Sequence, residues 1–556
     1  MNYSKNLFIV LIIISFLISY ETSTSISTAI ANEKEIKNVI LLIPDGTGSS
    51  HITFSRWYNG GSPLAMDEIA SGLIRTYTVD TLITDSAPAA TAMATGYKSS
   101  AKTIGLLPSK NKNKSFLWGV PDIKAEDEER PVATVLEAAR LAGKSVGLVA
   151  TIFVEHATPA GFSAHVLQRD DFETIAKQQV HNGLDVALSG GLKFIRKEDR
   201  ADKDDLIEVL KSRGYQVITN RNQLMQITSG KVWGAFTDAE MSNDLDRDKT
   251  IEPSLEEMTI KAISLLKKNK KGFFLMVEGS KVDWSSHKHD PVGIVTEFLA
   301  FDKAVKVALD FAKKRKDTAI IISPDHGNAG FSIGSTLTDN NYQFAPYDNY
   351  LSAIKKAKHT VDFVLNEVKK SNGDKDQIKK IIIENYIPDM TDEEFDKLIK
   401  SPKEKLLAEL VSLIQKRNAI SFTTWGHTGE DVPLFSYHPN PLKKLQGVIL
   451  NTDIAKYIAK VLNLNLKKAT EELYYSIDLT TSNIAKMDLT DTNNPILILK
   501  NTNANGKTLK LSINKNIAVL ISANTNAQKE YQLPGVTIFN KEKNRVYFSK
   551  KCLEYL

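Results

Sequence analysis

The sequence predicts an α/β fold: a three-layer sandwich with a mostly parallel central sheet, a helical insertion and a small β-rich C-terminal appendage. Three observations carry that expectation. Residues 37–43, Lys-Asn-Val-Ile-Leu-Leu-Ile, form the continuous apolar run typical of a strand covered on both faces. Further apolar runs alternate with amphipathic stretches, which implies parallel strands joined by crossover helices on both sides of the sheet. Polar residues of ligand or nucleophile type fall at the ends of those runs, where sheets of this class bind ligands.

At 556 residues the chain can bury a large core and should hold more than one structural unit. Its 42% hydrophobic and 25% charged residues are ordinary for a soluble globular protein. A net charge of +5 spread over many lysines fits solubility and not a nucleic-acid footprint, so nucleic acid is not expected as a partner. The single cysteine, Cys552, cannot form an internal disulfide, which leaves packing and any bound metal to supply stability. Residues 1–31 read as a secretory signal. Lys5 opens it, residues 7–20 are apolar but shorter than the roughly 20 a membrane span needs, and Ala29-Ile30-Ala31 fits a cleavage site. An uncleaved anchor is the alternative; cleavage would yield a periplasmic or extracellular protein with no membrane attachment.

Residues 73–83 alternate β-branched and polar side chains and read as the second strand. They run into Thr84-Asp85-Ser86-Ala87-Pro88, followed by an Ala/Met/Thr run with helical propensity that stops at Gly96. Ser86 therefore sits at a strand-to-helix turn, facing unpaired N–H groups and the positive end of the helix dipole. It suits a helix cap, or a nucleophile whose phosphate ester those amides stabilise. Residues 131–142 read as a helix stopped by Gly143, 145–151 as a strand, and 170–183 as an amphipathic helix. Helices at 255–268 and 292–314 alternate with strands at 272–277 and 318–323. On that reading Asp45 follows the first strand, Ser86 the second, His156 and Thr158 the third, Glu278 the fourth, and Asp325 with His326 the fifth.

Residues 340–418, rich in Lys, Glu and Ile with helical stretches at 351–370 and 404–416, read as an insertion between two active-site strands. A helix at 452–464 follows. Beyond it, short β-like runs at 495–500, 508–513, 516–522 and 545–548 are separated by Asn/Gly turns, 501–506 among them. The expected division is 1–31 signal, 32–466 catalytic unit and 467–556 appendage.

Asp283 and His287 lie four apart, so on a helix they share a face and can grip one ion or simply bond each other. Glu278 is poor core material unless it meets a cation. Pro324 and Gly327 flank Asp325 and His326 and permit the backbone bend that lets neighbours ligate one metal. His427 sits between Gly426 and Gly429, in a loop before a strand at 432–437. It is either a solvated surface residue or the third ligand beside Asp283 and His287. A helical stretch after Pro159 could carry Arg169 back over the pocket, where its planar guanidinium would fork two phosphate oxygens; a surface ion pair is the alternative.

Asp45-Gly46, Thr84-Asp85-Ser86-Ala87, His156-Ala157-Thr158-Pro159-Ala160, residues 276–287, Asp325-His326-Gly327 and Trp425-Gly426-His427-Thr428 together resemble, in order, the motifs of the alkaline phosphatase family in its secreted, serine-nucleophile branch. The likeness spans residues 38–464 except the insertion, which resembles the family's variable crown region in position. It implies Ser86 as a nucleophile that is transiently phosphorylated, and Arg169 on the non-bridging phosphate oxygens. It implies one zinc on Asp283, His287 and His427, and a second on Asp45, Asp325 and His326. A third, magnesium-type site would join Asp45 to Thr158 and Glu278. Nitrogen-plus-carboxylate sets suit zinc, and an all-oxygen set suits magnesium. Small phosphate monoesters as substrates, alkaline activity and a homodimer are further implications.

His156 stands where some members carry an acid, and Trp284 where those members carry a lysine. A histidine there would reach the third ion through water, or favour a nitrogen-liking metal. Asn328 and Ala329 are less usual, and His289 reads as a supporting or surface histidine. A phosphodiesterase, a sulfatase or another hydrolase of the same superfamily is the nearest rival. Ser86 lacks the Cys/Ser-x-Pro-x-Arg context of a sulfatase, and diesterases commonly lack the acid that Glu278 supplies. A non-catalytic metal-binding surface protein that uses the β-rich tail is the other alternative.

Overall fold

The apolar run at 37–43 becomes β1 (Asn38–Pro44), every residue of which is buried. The computed structural model describes residues 35–109, 118–120, 123–500, 506–522 and 527–556; the expected signal at 1–31 and most of the expected turn at 501–506 lie outside them. With β1 at its centre, a ten-stranded sheet adds β2 (Ala70–Arg75), β3 (Ser145–Phe153), β4 (Val186–Gly190), β5 (Tyr215–Ile218), β6 (Lys231–Ala235), β7 (Phe273–Gly279), β8 (Thr318–Ile322), β9 (Val432–Tyr437) and β10 (Gly447–Leu450). The order across the sheet is β10-β2-β9-β8-β1-β7-β3-β4-β6-β5. Neighbours run parallel except β9, which is antiparallel to both β2 and β8.

The two-residue period of β1 divides the core between the sheet's faces. Val39, Leu41 and Ile43 join one apolar cluster, covered by helices Ser86–Thr95, Val135–Leu141 and Thr452–Val461. Ile40 and Leu42 join the other, under Leu255–Leu266 and Pro291–Arg315. This is the three-layer α/β architecture expected. Among the described residues no helix is long and apolar enough to cross a membrane.

Several local expectations are corrected. The strand read at 73–83 ends at Arg75, because its partners end there: Leu450 of β10 is the last residue to pair, opposite Arg75. Beyond it the Lys98 ammonium takes the carbonyls of Arg75 (3.3 Å) and Tyr77 (2.6 Å), and the Thr78 hydroxyl accepts from Asp80 and Thr81 N–H. Side chains thus replace the ladder. The helix read from 131 starts at Val135, since Thr134 and Glu137 form a reciprocal capping box. Strands β4, β5 and β6, of four or five residues each, carry no periodic signature long enough to read from sequence.

The insertion folds as helices Asp348–Lys356, Val361–Lys370, Lys375–Asn385, Asp392–Lys400 and Leu406–Arg417 around Ile354, Val364, Ile382 and Leu410. The single stretch read at 351–370 is two helices. Asp246 breaks it by accepting from Thr360 N (3.2 Å), Thr360 Oγ1 (2.6 Å) and His359 Nδ1 (2.9 Å). The C-terminal part opens with a helix, Leu466–Leu473, and then forms antiparallel three- and five-stranded sheets. A buried polar knot ties it to the catalytic layer. Tyr474 Oη lies 2.5 Å from Glu137 Oε1 and 2.6 Å from His165 Nε2. Burial alone would raise the Glu137 carboxyl, but His165 and the bonds it accepts outweigh that and push it down to about 2.

Candidate active site

Strand register decides what meets at the carboxyl edge of the sheet. Ile43 of β1 pairs with Glu278 of β7, and Leu42 with Ile322 of β8. Asp45, Glu278 and Asp325 therefore converge from three adjacent strands, each 0% exposed. Glu278 is the penultimate residue of β7 and does not follow it.

Among the described residues, three groups of side chains offer ligand atoms within 4.8 Å of one another: Asp283, His287 and His427; Asp45, Asp325 and His326; and Asp45, His156 and Glu278. Asp45 belongs to two of them. In this cluster both carboxylate oxygens of Asp45 and of Glu278, Asp325 Oδ2, His156 Nδ1 and Thr158 Oγ1 are buried without a hydrogen-bond partner. Bare buried carboxylates are costly, and a bound cation is what satisfies such a set. Burial, reinforced by the charges of Asp325, Asp283 and Glu278, drives the Asp45 carboxyl well above its usual range. Burial first and Asp325 second push Glu278 up to about 8.

The histidines are held in place by backbone carbonyls. His287 Nδ1 bonds the Trp425 carbonyl at 2.7 Å and His427 Nδ1 the Thr84 carbonyl at 2.8 Å. With the Nδ1 protons so used, both Nε2 atoms present lone pairs, 3.1 Å apart, beside the Asp283 carboxylate. Two facing lone pairs repel unless a cation lies between them. His427 arrives through a two-residue antiparallel ladder, opposite Asn328, so it is not a solvated surface residue.

Ser86 is the first residue of its helix, and the cap is Asp85, whose carboxylate accepts from Ala87 N–H. The serine hydroxyl is thereby free of capping duty. Its Oγ lies 3.1 Å from His326 Nε2, which stands 3.2 Å from Asp325 Oδ2 and 3.5 Å from Asp45 Oδ1. The helix after His156 runs only over Ala157–Ser163, and Arg169 returns from a turn beyond it. Its guanidinium pairs with Asp85, and Nη2 lies 2.9 Å from His156 Nε2. Trp284 stands edge-on to His156, ring centroids 6.3 Å apart.

Two residues support the site: Asn328, assigned no role from the sequence, and His289, read there as a supporting or surface histidine. Asn328 Nδ2 donates to the Asp283 carbonyl at 3.1 Å and to Oδ1 at 2.7 Å, which orients that carboxylate. Its adjacency to Asp325 and His326 was the available signal. His289 is buried, stacked on Trp425 at 3.7 Å and on Phe422 at 4.5 Å, and so braces the loop that carries His427. Asn328→Ala is expected to weaken metal affinity at the Asp283 group by about 10- to 100-fold, as loss of an orienting partner does elsewhere. Zinc titration against a chromophoric chelator measures it, and an unchanged affinity would deny Asn328 that part.

The family model described as alkaline phosphatase matches residues 36–464. The chain belongs to the alkaline phosphatase family. Alkaline phosphatase 3 of Bacillus subtilis (strain 168) is 35% identical over 490 residues, which cover 84% of this chain and 99% of that protein. Among solved structures, the cold-active alkaline phosphatase of the psychrophile Shewanella sp. matches with a TM-score of 0.64 and 27% identity, covering 76% of this chain and 99% of that one. A histidine-to-glutamate mutant of the alkaline phosphatase of the Antarctic bacterium TAB5, with magnesium bound in its M3 site, matches with a TM-score of 0.57 and 26% identity over 78% of this chain and 100% of that one. As a member of the family this chain is a phosphomonoesterase of the alkaline phosphatase type. The match ends before the β-rich part, which is an addition to the alkaline phosphatase fold of this chain.

Proposed function

We propose that this alkaline phosphatase hydrolyses small phosphate monoesters through a phosphoserine on Ser86, with two zinc ions and a third, magnesium-type ion. The observation that supports this most is the uncapped Ser86 hydroxyl, 3.1 Å from His326 Nε2, at the edge of a cluster of buried, unpartnered carboxylates. Asp283, His287 and His427 would hold one zinc, and Asp45, Asp325 and His326 the other. Asp45, Glu278 and Thr158 would hold the third ion, with His156 close enough to ligate it and so to admit a nitrogen-liking metal in place of magnesium. Bound there, the ions lower the pKa of nearby hydroxyls and neutralise charge on the ester oxygens.

The chain's own groups then have distinct tasks. Ser86 Oγ gives up its proton to solvent water and bonds to phosphorus while the bond from phosphorus to the ester oxygen breaks; the departing alkoxide takes up a proton from solvent. Water attacks the phosphoserine, Ser86 Oγ leaves and regains its proton, and inorganic phosphate departs. Arg169 holds the non-bridging oxygens, and its contacts with Asp85 and His156 set its plane before substrate arrives. Arg169→Ala should lower kcat/KM about 10- to 100-fold, mostly through KM, and weaken inhibition by phosphate in parallel. Steady-state kinetics with p-nitrophenyl phosphate reads both quantities; an unchanged inhibition constant would remove Arg169 from the phosphate site.

An arginine beside a third cation site suits a phosphate dianion, which favours monoesters over diesters. Side-by-side turnover of p-nitrophenyl phosphate and bis(p-nitrophenyl) phosphate tests that choice, and preference for the diester would overturn it. We also infer export through residues 1–31 to the periplasm or exterior, a catalytic unit over 32–466 with 467–556 appended, and a homodimer. The apolar run at 7–20 supports export. N-terminal sequencing of the mature protein and analytical ultracentrifugation check these points.

A further inference from the structure

A second cavity, of about 720 Å³, lies at the other edge of the sheet. Its wall is built where strands begin: Ser145 opens β3, Asp185 precedes β4, Tyr215 opens β5 and Lys231 opens β6. The groups of the candidate active site stand at the carboxyl ends of β1, β7 and β8, a full strand length away. The appended part supplies one wall of this open cavity, with Asn516, Gln532, Pro534 and Lys551 on its lining.

Among the described residues that lining carries five cationic side chains, Arg140, Lys144, Arg213, Lys231 and Lys551, against one carboxylate, Asp185. Asp185 is already engaged within the protein: it accepts from Val146 N–H at 2.9 Å, and burial raises its carboxyl above the usual range. Arg140 donates to the Pro534 carbonyl, while its Nε is buried without a partner. Arg213 Nη2 donates to Asn516 Oδ1 (2.9 Å) and lies 2.8 Å from His181 Nδ1, itself 3.1 Å from the same Asn516 oxygen. The other ring nitrogen, His181 Nε2, is buried without a partner on a ring only 2% exposed. Positive groups gathered in one concavity, one guanidinium N–H among them unused, repel each other and are relieved by an anion.

The shape and chemistry narrow the ligand. Planar guanidinium forks match phosphate oxygens, and the volume falls within the range of about 300–1,000 Å³ typical of ligand sites, far above one phosphate ion. Leu533, Pro534 and the Tyr215 ring are the apolar parts of a lining that otherwise offers charge and hydrogen bonds, which suits a highly charged anion better than an acyl chain. We propose that this cavity binds an inorganic polyphosphate-type anion, several linked phosphate groups without an apolar moiety, and that the ligand bridges the catalytic sheet to the appended β-rich part.

The test is calorimetric titration of the full chain with inorganic tripolyphosphate, in buffer holding enough inorganic phosphate to saturate the catalytic centre. One tripolyphosphate per chain is expected, with affinity falling at least about tenfold in the Arg213→Ala, Lys231→Ala double variant. Turnover of p-nitrophenyl phosphate should stay at the wild-type level in that variant, which also reports that it folds. Lys551→Ala, at an exposed position, serves as an independent second variant and should weaken binding in the same direction. Absence of binding under phosphate saturation, or equal affinity in wild type and both variants, overturns the proposal.

Discussion

Ser86→Ala should reduce turnover of p-nitrophenyl phosphate by between about 10³- and 10⁶-fold, the range seen when a nucleophile that works as part of a unit is removed. The helix should survive the change. Asp85, not Ser86, caps it, and every residue of Ser86–Thr95 is buried in a layer that alanine fits without strain. The melting temperature is therefore expected to stay within a few degrees of wild type, by the usual scale for a small change at a site that bears no cap. Acid quenching during turnover of a labelled monoester should trap phosphate on the wild-type chain and none on the variant. A variant that retains a tenth of wild-type activity, or a trapped phosphate elsewhere on the chain, would sink the role proposed for this serine.

Removal of metal with a strong chelator should abolish turnover and lower the melting temperature together. The second effect is the more diagnostic. Asp45, Glu278 and Asp325 lie side by side in the interior, and without a cation burial forces all three toward holding protons. An ion held at 100 times its Kd stabilises the folded chain by about 2.7 kcal/mol per site, and three sites in contact would add to several times that. Zinc with magnesium should restore both activity and melting temperature. Asp45→Asn should cost the most of any single ligand change, since its carboxylate belongs to two of the three groups. Metal analysis showing stoichiometric ions in wild type and loss at two sites in Asp45→Asn is the measurement. Full activity in chelator, or an unshifted melting curve, would count decisively against a metal centre.

Much of the site was legible in the linear chain because the chemistry is carried by short, local patterns. The buried run of β1 needs only its own apolar residues to be recognised, and Asp325 with His326 needs only the bends at Pro324 and Gly327. Asp283 and His287 share a helix face through spacing alone. The strand at 73–83 failed for the opposite reason. Alternation persists past Arg75, but a strand needs a partner, and its partners stop there.

Whether Ser86 caps its helix or is free turned on where the chain crosses from β2, and the answer was Asp85. Whether His427 is solvated turned on a ladder with Gly327–Asn328, a hundred residues earlier in the chain. Asn328 beneath Asp283, Arg169 between Asp85 and His156, and the basic cavity at the strand starts likewise join residues remote in sequence. Residue type and spacing specify what a segment can do, since propensity and ligand chemistry act over a few residues. Which segments meet is set by register and by burial summed over the whole core, a balance of large opposing terms that no single stretch contains.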